Sequence, residues 1–258
     1  MRADMERTTI TLLGTTIDVL DVKGLGTKIT QYIAAGVQTK IMYVNTDCML
    51  IAKNDPGYQN VINNANLVYA DGIGVVLGAR LWGNTLPDRL TAADFMPELC
   101  RDFAKQGLRI YLLGAIEGVA EDAAKKLQKK IPNLLISGTH HGYFKQEQCA
   151  DLIAEINATR PDIILVGFGA PQQEFWIHEN SKNLDAKVVW GVGGLFDFLS
   201  GKTRRGPKLL LDNGFEWLCR LTTEPKRLWR RYLIGNTRFI LYLLWNRFGG
   251  GRRNNHAG

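Results

Sequence analysis

A chain of 258 residues, 45% hydrophobic and 22% charged, is long enough for one large packed domain with an appendage, and too apolar to be disordered throughout. Its net charge of +7 is not spread evenly: residues 220 to 253 hold nine Lys/Arg against a single acid, Glu224, so the rest of the chain is close to neutral. A neutral body with one basic end argues against a protein that coats nucleic acid. The four cysteines, Cys48, Cys100, Cys149 and Cys219, form no C-x-x-C pair or metal-type spacing and read as reduced thiols of a cytosolic protein.

In chain order, the N-terminal MRADMERTTITLLGTTIDVL has no apolar run long enough for a secretory signal. Short apolar runs then follow at 41 to 45 (IMYVN), 67 to 70 (LVYA), 109 to 114 (RIYLLG), 134 to 138 (LLISG), 162 to 169 (DIILVGFG) and 187 to 194 (KVVWGVGG). Helix-like segments lie at 47 to 54, 72 to 82, 91 to 106, 117 to 130, 145 to 158 and 171 to 183. The fourth of these sets Val119, Ala123 and Leu127 on one face, acids early and lysines late, with Pro132 as a stop. Apolar strands alternating with helices predict an α/β domain, a doubly wound, mostly parallel Rossmann-like sheet over 1 to 202. A composition shift near 203 opens a basic, aromatic helical appendage, 203 to 258.

Such sheets bind ligands beyond the carboxyl ends of their strands. There the sequence places Asn45, Asp71-Gly72, Gly114, the GTHHG run ending at Gly142, GFGAPQQE from Gly167 to Glu174, and GVGG from Gly191. Glycines and the helix starts after them suit a diphosphate, so a nucleotide-containing ligand is expected. The dinucleotide fingerprint and the P-loop are both absent, and so is a D-x-D pair, so no metal site or other cofactor is expected.

Asp71 has two readings: a base for a hydroxyl proton, or the N-cap of the next helix. Glu174 reads as a substrate contact or a helix-dipole acid, with Pro171 in the first turn, while Gln173 is less easily explained structurally. His140 and His141 read as loop histidines, and Arg89 with Asp94 as a helix-start pair.

Four blocks, ANLVYADGIGVVLGARLWG with PDRLTAADFMP, RIYLLGAIEGVAEDAAKKLQKKIPNLLISGTHHGYF, PDIILVGFGAPQQEFWI, and the run from Trp190 to Asn236, together resemble the WecG/TagA/CpsF family of bacterial glycosyltransferases (family 26). The resemblance covers about Ile10 to Phe248. It implies inverting transfer of a sugar from a UDP-sugar to a polyprenyl-diphosphate-linked saccharide in the building of cell-surface polysaccharide. By position it makes Asp71 the base and gives Asn45 and Gln173 the role of orienting sugars; Arg89, Gly114, Gly169, Pro171 and Glu174 complete the expected substrate-binding set. Two departures, Tyr43 for the usual threonine and Ala92 for the usual glycine, leave the donor open among N-acetylmannosamine, its uronic acid and glucose. A non-catalytic scaffold that binds a nucleotide sugar at the membrane is the alternative.

The tail, RLTTEPKRLWRRYLIGNTRFILYLLW, is too interrupted to span a bilayer, its longest apolar run being Phe239 to Trp245. As a helix it gathers Arg227, Arg231 and Arg238 on one side and Trp229, Leu233, Ile240 and Leu244 on the other, with a division expected at Gly235-Asn236. This predicts an interfacial segment on an anionic membrane surface, at the inner face of the plasma membrane, rather than a nucleic-acid patch. The resemblance adds recognition of the acceptor diphosphate, for which Arg220, Arg227, Arg230 and Arg231 are the candidates, and allows a homo-oligomer.

Overall fold

The computed structural model describes residues 7–87, 89–203, 205–207, 210, 216–223 and 225–248; the side chains at 216, 220, 223, 227 and 231 lie outside that description. Among the described residues, eight strands and nine α-helices precede the tail: β1 Thr9–Leu12, β2 Thr15–Asp18, α1 Val22–Ala34, β3 Thr39–Val44, α2 Thr46–Asn54, α3 Pro56–Asn63, β4 Leu67–Ala70, α4 Ile73–Leu81, α5 Ala92–Lys105, β5 Arg109–Gly114, α6 Val119–Lys130, β6 Leu135–His140, α7 Cys149–Ala158, β7 Ile163–Gly167, α8 Gln172–Asn180, β8 Val188–Gly191 and α9 Leu195–Leu199. Strands β3 to β8 form one parallel sheet in the order β4-β3-β8-β7-β5-β6.

Every residue of β4, β7 and β8 is buried, as expected of strands with helices on both faces. The edge strand β6 is only half-buried, which explains its weaker apolar pattern, LISGTH. At the core, the Trp190 ring on β8 lies nearly parallel to Phe95 on α5, 6.0 Å away, and edge-on to Tyr69 on β4. The expected α/β doubly wound sheet is therefore present.

Two elements escape the periodicity. The β1–β2 hairpin turns at Leu13 and Gly14, with φ of 52° and 81°, the paired positive values of a two-residue hairpin turn. It covers the β4 edge: buried Asp18 accepts from Val68 N at 2.7 Å and from Arg7 Nε and Nη2 at 2.7 and 2.6 Å. The helix expected at 47 to 54 is present as α2, but α3, which follows it across a hinge at Asp55 whose Oδ1 accepts from Tyr58 N at 3.0 Å, is the second element missed.

The tail runs helically through Glu216–Thr223, Pro225–Trp229, a π-helical turn Arg230–Gly235, and Asn236–Phe248. The division expected at Gly235-Asn236 is replaced by that π turn, since Asn236 has helical φ and ψ of −61° and −41°. Phe239 and Leu243 are buried against Gly78 of α4, where an added Cβ would lie 3.0 Å from Leu243 Cδ1. Thr46 Oγ1 donates to Asn236 Oδ1 at 2.8 Å, a polar pin between α2 and the tail. Truncating Phe239 to Ala is expected to cost about 3 kcal/mol at this seat. Hydrogen exchange should then quicken over 225–248 while β7 and β8 stay protected. Among the described residues, no helix is long and apolar enough to cross a membrane.

Candidate active site

The carboxyl ends of the strands open into one cleft of about 1780 Å³. Its floor is the sheet end, with Asn45, Asp71, Ala115, Gly167 to Ala170 and Val192 to Leu195; its far wall is the tail, with Trp217, Tyr232, Leu233, Asn236, Phe239 and Ile240. The pocket thus lies across the boundary expected near residue 203.

Asp71 leaves β4 with its backbone N–H on Val44 O at 2.8 Å. The next residue, Gly72, has φ of 87° and is the N-cap of α4, with no side-chain cap bond. The cap position expected for Asp71 therefore belongs to Gly72, and the carboxylate lines the cleft instead. Burial, and after it the Asp71 charge, push the Tyr69 phenol up, so this tyrosine stays neutral behind Asp71.

Asn45 caps α2, its Oδ1 accepting from Asp47 N and Cys48 N at 3.0 and 3.1 Å. That fixes the amide orientation, and among the described residues Nδ2 has no partner, which leaves a donor at the cleft lining. Arg89 also lines the cleft, its Nη1 donating to Thr91 Oγ1 at 3.1 Å and its Nη2 lying 3.8 Å from Asp94. Asp94 pairs more closely with Arg205, at 2.6 Å. Lys202 and Asp197, 3.7 Å apart, are further charges in the cleft that sequence reasoning missed: both lie inside the run from Trp190 to Asn236, where nothing in the residue pattern sets them apart.

Gly169 lines the cleft, whereas Gly114, Pro171, Gln173 and Glu174 stand behind the wall. A Cβ on Gly114 would fall 2.5 Å from Gly167 O, so this glycine permits two strand ends to touch. Gln173 is fully buried and accepts from Gly193 N at 2.9 Å, holding the β8–α9 turn in place. Its Nε2 donates to Glu174 Oε1 at 2.6 Å. Glu174 is fully buried; Oε2 has no hydrogen-bond partner among the described residues, and burial raises its carboxyl to about 7 despite the Gln173 bond. The helix-dipole reading of Glu174 therefore meets a buried, not a solvated, acid.

Both departures from the family pattern, Tyr43 and Ala92, face the cleft. The two histidines are tied locally: His140 Nδ1 lies 2.7 Å from His141 O, and Tyr143 N donates to His141 Nδ1. All four cysteines are free thiols. Among the described residues, no group of three or more His, Cys, Asp or Glu is placed to hold a metal ion.

Of the tail arginines, Arg230 is exposed, 5.3 Å over the Trp229 ring. Arg220, Arg227 and Arg231 lie on the helical backbone, but their side chains fall outside the described residues.

With this cleft in view, the sequence comparison is decisive: the model of the WecG/TagA/CpsF glycosyltransferase family matches residues 10–253. The chain belongs to that family. Among its relatives is a protein of Bacillus subtilis (strain 168), named an N-acetylglucosaminyldiphosphoundecaprenol N-acetyl-beta-D-mannosaminyltransferase. It is 35% identical over 204 residues, covering 78% of each chain. A protein of the same name from Bacillus spizizenii is 33% identical over 205 residues, 79% of this chain and 78% of the relative.

Proposed function

We propose that this glycosyltransferase moves a hexosamine-type sugar from a UDP-sugar donor to a polyprenyl-diphosphate-linked saccharide, with inversion at the anomeric carbon. The observation that carries the reading is the Asp71 carboxylate at a cleft whose opposite wall is the apolar face of the tail. N-Acetylmannosamine is the preferred donor sugar and N-acetylglucosaminyl-diphosphate-polyprenol the acceptor, as in the named relatives.

Asp71 takes the proton from the acceptor hydroxyl while that oxygen forms its bond to the anomeric carbon. The bond from that carbon to the UDP oxygen breaks, and its electron pair leaves with the diphosphate. One base suffices for this single displacement. Negative charge builds on the departing diphosphate; its stabilisation is assigned to Arg89 and the Asn45 amide at the cleft lining, with the tail arginines as further candidates and no divalent metal in the scheme.

Membrane attachment is peripheral, at the inner face. Leu77, Leu81, Leu233, Ile240, Leu241, Leu244, Trp245 and Phe248 are exposed, interleaved with exposed Lys226, Arg230, Arg238 and Arg247. Apolar side chains that enter the lipid boundary, with cations at the headgroups, hold such a segment without spanning.

The test is a panel of UDP-N-acetylmannosamine, its uronic acid and UDP-glucose against a short-chain polyprenyl-diphosphate N-acetylglucosamine, with and without EDTA. Product from the first donor at undiminished rate in EDTA is expected. Nucleotide-sugar binding without product from any donor would leave a scaffold instead of an enzyme.

A further inference from the structure

The tail presents a stripe at helical spacing to the cleft: Tyr232, Asn236, Phe239 and Leu243. Its apolar half, Phe239 and Leu243, is buried on α4. Asn236 stands out from it. Its φ and ψ are helical and the helix runs on through it, a position where asparagine is a poor helix former.

The body fixes where that amide sits. Thr46 Oγ1 donates to Asn236 Oδ1 at 2.8 Å, and Thr46 is itself pressed on the start of α4, where a Cβ on Gly74 would overlap Thr46 Cγ2. Thr46 follows Asn45, which leaves β3 beside Asp71 because Val44 and Ala70 are register partners. Asn45, Thr46, Asp71, Gly74 and Asn236 thus form one patch of the cleft lining. We infer that Asn236 is a recognition residue for the acceptor sugar, supplied by the tail to the side of Asp71. The inference rests on the sugar-transfer reading above and deepens it.

Thr46 occupies the amide oxygen, and among the described residues Asn236 Nδ2 has no partner. Pinning the tail needs only an acceptor for the Thr46 hydroxyl; the amide adds a neutral donor at the cleft lining. Sugar hydroxyl and acetamido oxygens accept from such a donor. Beside it the Trp217 and Tyr232 rings, 6.1 Å apart, give the cleft an aromatic wall for the apolar face of a sugar.

The lipid decides between acceptor and donor. Exposed Leu77 and Leu81 on α4, with Ile240 and Leu244 on the tail, offer the apolar path by which a polyprenyl chain leaves. A saccharide attached to that chain passes Asn236 before its hydroxyl reaches Asp71. The donor carbon lies beyond that hydroxyl, because the attacking oxygen and the departing UDP stand on opposite faces of it.

Steady-state transfer by the full chain, from UDP-N-acetylmannosamine to short-chain polyprenyl-diphosphate N-acetylglucosamine with each substrate varied in turn, tests the role. Asn236→Asp keeps an oxygen for Thr46, and so the seat of the tail, but loses the donor. It is expected to raise acceptor KM about tenfold and leave donor KM and UDP affinity within about twofold. Asn236→Ala, which brings no charge, should raise acceptor KM at least as much. Thr46→Val removes the pin and keeps the amide, and should raise acceptor KM less than either. An acceptor KM within twofold of wild type in Asn236→Asp, equal rises in both KM values, or a larger effect from Thr46→Val would overturn the recognition role and leave Asn236 a structural pin. No product from the wild type with any UDP-sugar would instead overturn the transfer reading, and this role with it.

Discussion

Replacing Asp71 with Asn is expected to lower kcat for sugar transfer by about 10²- to 10⁴-fold, the usual contribution of a positioned general base. The amide is nearly isosteric with the carboxylate but cannot take the acceptor proton at neutral pH. The backbone that places it should persist, because the Asp71 N–H to Val44 O bond and the turn at Gly72 do not involve the side chain. UDP affinity within about twofold of wild type and an unchanged melting temperature complete the expected result. A variant with kcat within tenfold of wild type would remove Asp71 from the chemistry.

The second large effect concerns stability and pH. Glu174 is raised to about 7 by burial, against an ordinary value of 4.5. A group whose folded value is raised stabilises the fold fully below the unfolded value, and that contribution is lost as pH climbs to the folded one. Between about pH 4.5 and 7 the wild type should therefore lose on the order of 3 kcal/mol from this group, and nothing further above it. Glu174→Gln removes the titration, and any cost of the buried amide does not vary with pH. Denaturant midpoints measured from pH 4.5 to 8 on both proteins should lie nearest at low pH, where the neutral acid resembles the amide, and the wild type should fall relative to the variant as pH rises to about 7. Parallel profiles would show that Glu174 is ionised throughout in the folded protein. Because Glu174 holds Gln173, and Gln173 holds Gly193, ionisation acts on the cleft wall itself.

The parallel sheet is legible in the sequence because strands buried on both faces must be apolar along their whole length. The hairpin is not, since its turn is Leu13-Gly14 and lacks the Asn-Gly or Asp-Gly that announces such turns. In the cleft, Asn45, Asp71, Arg89 and Gly169 face the space their positions suggest. The run from Pro171 to Glu174 shows why motif membership is a poor guide to orientation. Each helical residue turns by about 100°, so Gln172 reaches the cleft while Gln173 and Glu174 point into the core. In the tail, the apolar side grouped by periodicity, Trp229, Leu233, Ile240 and Leu244, is the exposed one; Leu228, Phe239 and Leu243 are buried. Periodicity finds a stripe but not which neighbour it meets, and α4 already satisfies one stripe.

The contact between Tyr43 and Gly193 constrains how this pocket can be altered. A Cβ at 193 would sit 2.4 Å from the Tyr43 hydroxyl, and φ there is 55°. A larger residue at the second position forces the Tyr43 ring to shift, and the backbone resists that change even after the ring is gone. Positions 43 and 193 therefore behave as one composite locus. A library that varies residue 193 alone meets both the ring and the backbone, whereas trimming the tyrosine reshapes the cleft lining against neither.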